Sequence, residues 1–188
     1  MERRFPLYAT VESQHIPQSP ADLARLFEEH QSRVYRAAYR VTGNAPDAED
    51  VLQTVFLRLI RREYTGNPMD NPESYLYRAA INASLDVLRS RQSARSVPLE
   101  DFIGIQTNES KAQGSGPVSL EVQMWLRQAL TKLSPRPAEM FILRYLEGYD
   151  NREIAQMLKT SQAVVAVTLF RARASLQKEF RASSERTV

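Results

Sequence analysis

The chain has 188 residues, 43% of them hydrophobic and 25% charged, with a formal net charge of +3; that fits one domain or two small ones, each with apolar residues enough for a core. The lack of cysteine excludes disulfides and thiolate metal sites, and with only His15 and His30 a multi-histidine metal site is improbable. A pI near 9.3 is compatible with nucleic-acid binding without demanding it. Residues 1–18 contain two prolines and no periodicity, and read as a mobile tail. Ser19-Pro20-Ala21-Asp22 then reads as a helix start, with Leu23, Leu26, Phe27, Val34, Tyr35, Ala38 and Val41 turned inward and Gly43 at the end.

Asn44-Ala45-Pro46 opens a second helix, through about Arg62. Val51, Leu52, Val55, Phe56, Leu59 and Ile60 form its inner face. Asp47, Glu49 and Asp50 crowd its first turns, and Arg58, Arg61 and Arg62 its last. The macrodipole is a sufficient reason for that polarity; a carboxylate cluster is also a docking face for a basic partner. A Mg²⁺ site would need ligands from more than one turn, and no second acidic cluster supplies them.

After a polar loop, Tyr64 to Asp70, comes the stretch that organises the chain, Asn71 to Arg95. Asn71 caps it, Pro72 fills its first turn, and Leu76, Ala79 or Ala80, Ala83 and Val87 make an apolar stripe. The opposite face carries Arg78, Asn82, Asp86 and Arg89 in a row, with Tyr64, Tyr75 and Tyr77 at or before the helix start. Amides, cations and aromatics so arranged suit a nucleic acid. A solvated charged face on an amphipathic helix is the other reading of the same residues.

Residues 96–118 lose periodicity and gain Ser, Gly, Gln and Pro, which reads as a flexible linker between domains at 19–95 and 119–182. In the second domain, Ser119 caps a helix with Leu120, Val122, Trp125, Leu126, Ala129, Leu130 and Leu133 apolar, Trp125 being a core residue. Ser134-Pro135-Arg136-Pro137 starts the next helix, which buries Met140, Phe141, Leu143 and Leu146. Asp150-Asn151-Arg152-Glu153 is a capping box. A short helix follows, then the turn Lys159-Thr160-Ser161, then a long helix with Val165, Leu169, Ala172 and Leu176 inward. That is the outline of a helix-turn-helix. Val164, Val165, Val167 and Thr168 are β-branched and would accept a strand, but no partner strand is in sight. The expected fold is all-α.

Three motifs resemble the bacterial RNA polymerase sigma factors of the extracytoplasmic-function type: D-A-E-D-V-L-Q-T-V-F (Asp47 to Phe56), P-E-S-Y-L-Y-R-A-A-I-N-A-S-L-D-V-L-R (Pro72 to Arg89), and L-S-P-R-P-A-E-M-F-I-L-R-Y-L-E-G-Y-D-N-R-E-I-A-Q-M-L (Leu133 to Leu158) with L-F-R-A-R (Leu169 to Arg173). The resemblance implies that Asp47, Glu49, Asp50 and Gln53, exposed, with Phe56 packed beneath, dock on the clamp helices of the polymerase's largest subunit. It implies that Tyr64, Tyr75, Arg78, Asn82, Asp86 and Arg89 capture unpaired bases of the −10 element, Asn82 foremost because an amide both donates and accepts. It implies that Ser161, Gln162, Thr168, Arg171, Arg173 and Lys178 meet the −35 duplex. Promoter DNA, core polymerase and an anti-sigma factor are the partners it implies; no cofactor is implied.

The chain departs from the family pattern at several positions. Thr54 replaces an acid and Tyr75 a tryptophan. Lys159 stands for glycine in the turn. Ala166-Val167-Thr168 takes the place of a Lys-Ser-Arg-like triplet. A helix-turn-helix regulator, or a sigma-like interaction protein without DNA contact, are the competing readings. An enzyme is the least supported class: the sequence has no nucleophile–histidine pairing, phosphate loop or metal constellation. The longest apolar run, Ala163 to Phe170, is too short to span a membrane, and Arg3-Arg4 is followed by no signal-like segment, so the cytoplasm is the expected location.

Overall fold

A computed structural model of the chain describes residues 20–63, 71–95 and 120–184. They form α1 (Pro20–Thr42), α2 (Ala45–Glu63), α3 (Pro72–Arg95), α4 (Leu120–Lys132), α5 (Pro135–Tyr145), α6 (Asn151–Met157) and α7 (Gln162–Ser184). No strand occurs among the described residues, and the valine run of α7 is helical. The expected tail, the linker, and the loop holding Tyr64 lie outside them. None of the described helices is long and apolar enough to cross a membrane.

The first three helices pack on one another. Val34, Ala37, Ala38 and Val41 of α1 meet Val51, Val55 and Leu59 of α2 and Leu76, Ala80 and Ile81 of α3 in one buried cluster. Their spacing of three or four residues places each set on a single helical face. Gly43 ends α1 with φ +79° and gives its N–H to the Tyr39 carbonyl at 2.8 Å, as a left-handed C-terminal residue does. Asn44 then caps α2, its Oδ1 accepting the Asp47 N–H at 2.8 Å.

In the second unit α5 and α6 pack on α7, and α4 touches it. The capping box forms in full: Asp150 Oδ1 accepts the Arg152 and Glu153 N–H groups at 2.8 Å each, and Glu153 accepts the Asp150 N–H at 2.6 Å. Val165, Leu169, Ala172 and Leu176 are buried, so α7 seats the expected stripe. The turn between α6 and α7 places Lys159 at φ +48°, a conformation that disfavours side chains bearing a Cβ by about 1–2 kcal/mol.

Helix α4 packs on the core mainly through its second half. Leu120 and Val122 are exposed, and Trp125 is only half-buried, edge-on to Phe180 with ring centroids 5.0 Å apart. The reason is that α4 also packs on α3, which draws Ala129, Leu130 and Leu133 into the common core and leaves its first turn outside.

Candidate nucleic-acid interface

The Asn71 side chain caps α3, accepting the Ser74 N–H at 2.9 Å. The helix is buried along Leu76, Tyr77, Ala80, Ile81, Ala83, Ser84, Leu85 and Leu88, wider than the single stripe its sequence suggests. Such breadth means packing on two sides. One side is the α1–α2 pair; the other is the second unit, through α4 and α5.

The polar row therefore does not face open solvent throughout, which corrects the expectation of an outward surface. Arg78 Nε donates to Glu139 Oε1 at 2.8 Å, and Asn82 Nδ2 donates to the same oxygen at 3.2 Å. Arg136 reaches the other oxygen, Oε2, at 3.3 Å. Arg78 also donates to the Met157 carbonyl at 3.2 Å, and Arg89 to the Leu133 carbonyl at 3.2 Å. Asp86 alone in the row is exposed, 3.6 Å from Arg89. Tyr75 is half-buried against the core. The physical reason is charge pairing: Glu139 is only 3% exposed, and a carboxylate so buried requires cationic or N–H donors, which α3 supplies.

A second carboxylate repeats the pattern. Glu147, just past α5, accepts from Arg40 at 2.6 Å and from the Tyr77 hydroxyl. Its Oε1 is buried with no hydrogen-bond partner. Tyr77 sits edge-on to Tyr149 at 5.8 Å, Arg33 lies 5.1 Å over its ring, and Arg33 donates to the Tyr149 hydroxyl at 2.8 Å. Burial, then the neighbouring Glu147 charge, pushes the Tyr77 hydroxyl above the ordinary phenol range, so it stays a neutral donor. The seam thus sets arginines of the first unit against acids of the second.

On α2 the structure separates the acidic cluster. Glu49, Asp50 and Gln53 are exposed and Phe56 is buried, edge-on to Phe27 at 4.8 Å. Asp47 is not on that flank. It is 5% exposed, held by Asn44 Nδ2 at 2.7 Å and by Arg91 at 2.5 Å. The third position of the helix turns inward toward the Arg91 end of α3, and its carboxylate stabilises the α2 start there. Among the described residues no group of three or more His, Asp or Glu side chains converges as a metal site would require.

On α7, Ser161 Oγ accepts the Val164 N–H at 3.2 Å, so its hydroxyl caps the helix. Gln162, Arg171 and Lys178 are exposed and Thr168 is half-buried. Arg173 is exposed as well. It lines an apolar groove with Trp125, Phe141, Tyr145 and Phe180, on the flank of α7 that faces α4 and α5.

The residues that the sequence reading missed are Glu139, Glu147, Arg33 and Arg40 of the seam, together with Arg91, which pairs with Asp47 inside the first unit. Glu139 carried a signal. An acid between Ala138 and Met140, inside an otherwise apolar run, has to find partners somewhere.

Residues 26–94 match the sigma-70 region 2 family and residues 123–176 the sigma-70 region 4 family. The chain is 31% identical over 164 residues to the ECF RNA polymerase sigma factor SigE of Mycolicibacterium smegmatis, across 87% of this chain and 63% of that relative's length. To the ECF RNA polymerase sigma factor SigW of Bacillus subtilis it is 25% identical over 166 residues, 84% of this chain and 88% of the relative. Among solved structures, CnrH in complex with the cytosolic domain of CnrY shares the fold, with a TM-score of 0.52 at 22% identity over 89% of this chain and 92% of that one. The region 2 match covers the three-helix unit and the region 4 match the helix-turn-helix unit, in that order, and the chain belongs to the sigma-70 family, in its extracytoplasmic-function group.

Proposed function

We propose that the protein is a non-enzymatic sigma factor that binds core RNA polymerase and directs initiation at specific promoters. The observation that carries this reading is the polar row of α3, standing on the same bundle as the exposed Glu49, Asp50 and Gln53 of α2 and on the same chain as a helix-turn-helix. In this reading the α2 flank docks on the polymerase. Asn82, with Arg78 and Arg89, then takes up bases of the separated strand. Unstacking a base costs a few kcal/mol, and hydrogen bonds to its edge together with stacking on aromatics offset that. Helix α7 lies on the upstream duplex.

The seam gives the reading a sequence of events. While Glu139 engages Arg78 and Asn82, those side chains are unavailable to a base, so the two units must part before the −10 strand is read. Docking on the polymerase is the step that parts them. An anti-sigma factor that covered these surfaces would act on the same equilibrium. The test is reconstitution with core polymerase: the protein should co-purify with it and start transcription at defined sites. Asn82→Ala should lower open-complex formation while leaving polymerase binding intact. Failure of the purified protein to stimulate initiation on any member of a promoter library would overturn the proposal.

A further inference from the structure

The outward face of α7's first half is apolar. Val164, Val167 and Phe170 are 49%, 50% and 74% exposed, and Ala163 and Ala166 lie exposed beside them. From Ser161 to Phe170 there is no charged side chain. Folding does not explain this. The interior of the unit is served by Val165, Leu169, Ala172 and Leu176 on the opposite side. β-Branched residues are also middling helix formers, so exposed valines gain the helix nothing. Apolar surface gathered on one exposed face marks an interaction site.

The charges around the face indicate what it meets. Exposed Lys159 precedes it, and exposed Arg171 and Lys178 follow it. Gln162 to Arg171 spans about 14 Å at the helical rise, close to the roughly 12 Å width of the DNA major groove. A cation in the turn before this stretch, cations after it and neutral side chains between them complement two phosphate strands bordering a groove. On the floor of that groove only thymine presents an apolar group, its C5-methyl. Alanine and valine are small enough to let the helix approach it.

We infer that α7 reads its duplex through thymine C5-methyl groups, with Val167 at the centre of the contact, rather than through hydrogen bonds to base edges. The inference rests on the promoter-binding reading above and adds the base chemistry that the second unit selects. It assigns Val167 and Ala166 as specificity-determining residues and leaves Arg171 and Lys178 to the phosphates.

The experiment uses the full chain reconstituted with core polymerase, and a random-sequence duplex library. The selected upstream element should be rich in thymine. Replacing its thymines one at a time by uracil, which differs only in the lost methyl, should weaken binding about three- to fivefold at each contacted position. Val167→Ala should fold normally, since the side chain is exposed, and should erase the uracil effect at one position while leaving others unchanged. Three results would overturn the inference while wild-type initiation persists: no uracil effect at any position, an equal effect in wild type and Val167→Ala, or weaker core-polymerase binding by Val167→Ala with the duplex affinity of the free chain unaltered, which would make the face a protein-docking surface. A chain that selects no duplex and starts no transcription loses the promoter-binding reading itself, and the inference with it.

Discussion

Glu139 of α5 accepts hydrogen bonds from Asn82 and Arg78 of α3 on one carboxylate oxygen, at 3.2 and 2.8 Å. A single acid from the second unit thus occupies two side chains that the first unit would offer to a base. In the proposed reading the carboxylate stands where a nucleic acid, also an anion, would be received. Opening this contact leaves Arg78 and Asn82 with hydrogen-bonding capacity to refill, for which a nucleic acid offers phosphate oxygens and base edges.

Glu139→Ala should loosen the seam. Loss of a charged acceptor from a buried pair weakens an interaction by about 1–3 kcal/mol. The free variant should sample more extended forms, seen as a larger radius of gyration in small-angle scattering. It should also bind single-stranded −10 DNA roughly tenfold more tightly than wild type, at 1.4 kcal/mol per decade. An unchanged affinity in a folded, extended variant would show that the seam does not restrain the reader.

The acidic start of α2 splits into two roles that substitution can separate. Asp47 is bonded to Asn44 and Arg91, so Asp47→Ala should lower stability by about 1–2 kcal/mol. Glu49→Lys with Asp50→Lys changes exposed side chains and should alter stability by no more than about 0.5 kcal/mol apiece, while weakening polymerase binding at least tenfold. Chemical denaturation and a polymerase-binding titration on both variants decide it. The assignment fails if the exposed pair is silent in binding.

How far the sequence foretold the molecule follows from where each signal resides. Caps and turns are local chemistry, so Asn71, Gly43, Ser161 and the Asp150–Glu153 box took the positions their side chains require. Periodicity placed the α7 stripe despite its valines. Burial against another unit has no local signature. Arg78 and Asn82 read as solvent-facing because their partner, Glu139, is 61 and 57 residues away along the chain. Asp47 read as one acid among three, and only the fold shows that it turns toward Arg91 while Glu49 and Asp50 do not. The groove that Arg173 lines likewise joins residues of α4, α5 and α7 that are far apart along the chain.

That placement of Arg173 makes the cations of α7 distinguishable. Arg171 is exposed away from the groove, and Arg171→Ala should weaken duplex binding across unrelated sequences. The slope of log K against log salt should fall by about 0.9, the value for one lost phosphate contact. Arg173→Ala should change that slope by much less and should instead alter packing around Trp125 and Phe180, visible in tryptophan fluorescence. Equal slopes for the two variants would refute the distinction.

His30 gives the first unit a predictable response to acid. Partial burial holds its imidazole below the usual value of 6.5, Arg33 pushes in the same direction, and Glu29 opposes them. The folded state therefore resists a proton that the unfolded chain accepts. The contribution to stability is intact above pH 6.5 and is lost as pH falls from there through the lower, folded value. Thermal unfolding followed across this range should show wild type losing stability faster on acidification than His30→Gln, which has no proton to gain at that position. Carboxylates that titrate at lower pH are common to both proteins and cancel in the difference. Parallel pH profiles would mean that the imidazole is equally easy to protonate in the folded and unfolded chain, and that its burial exerts no force on the fold.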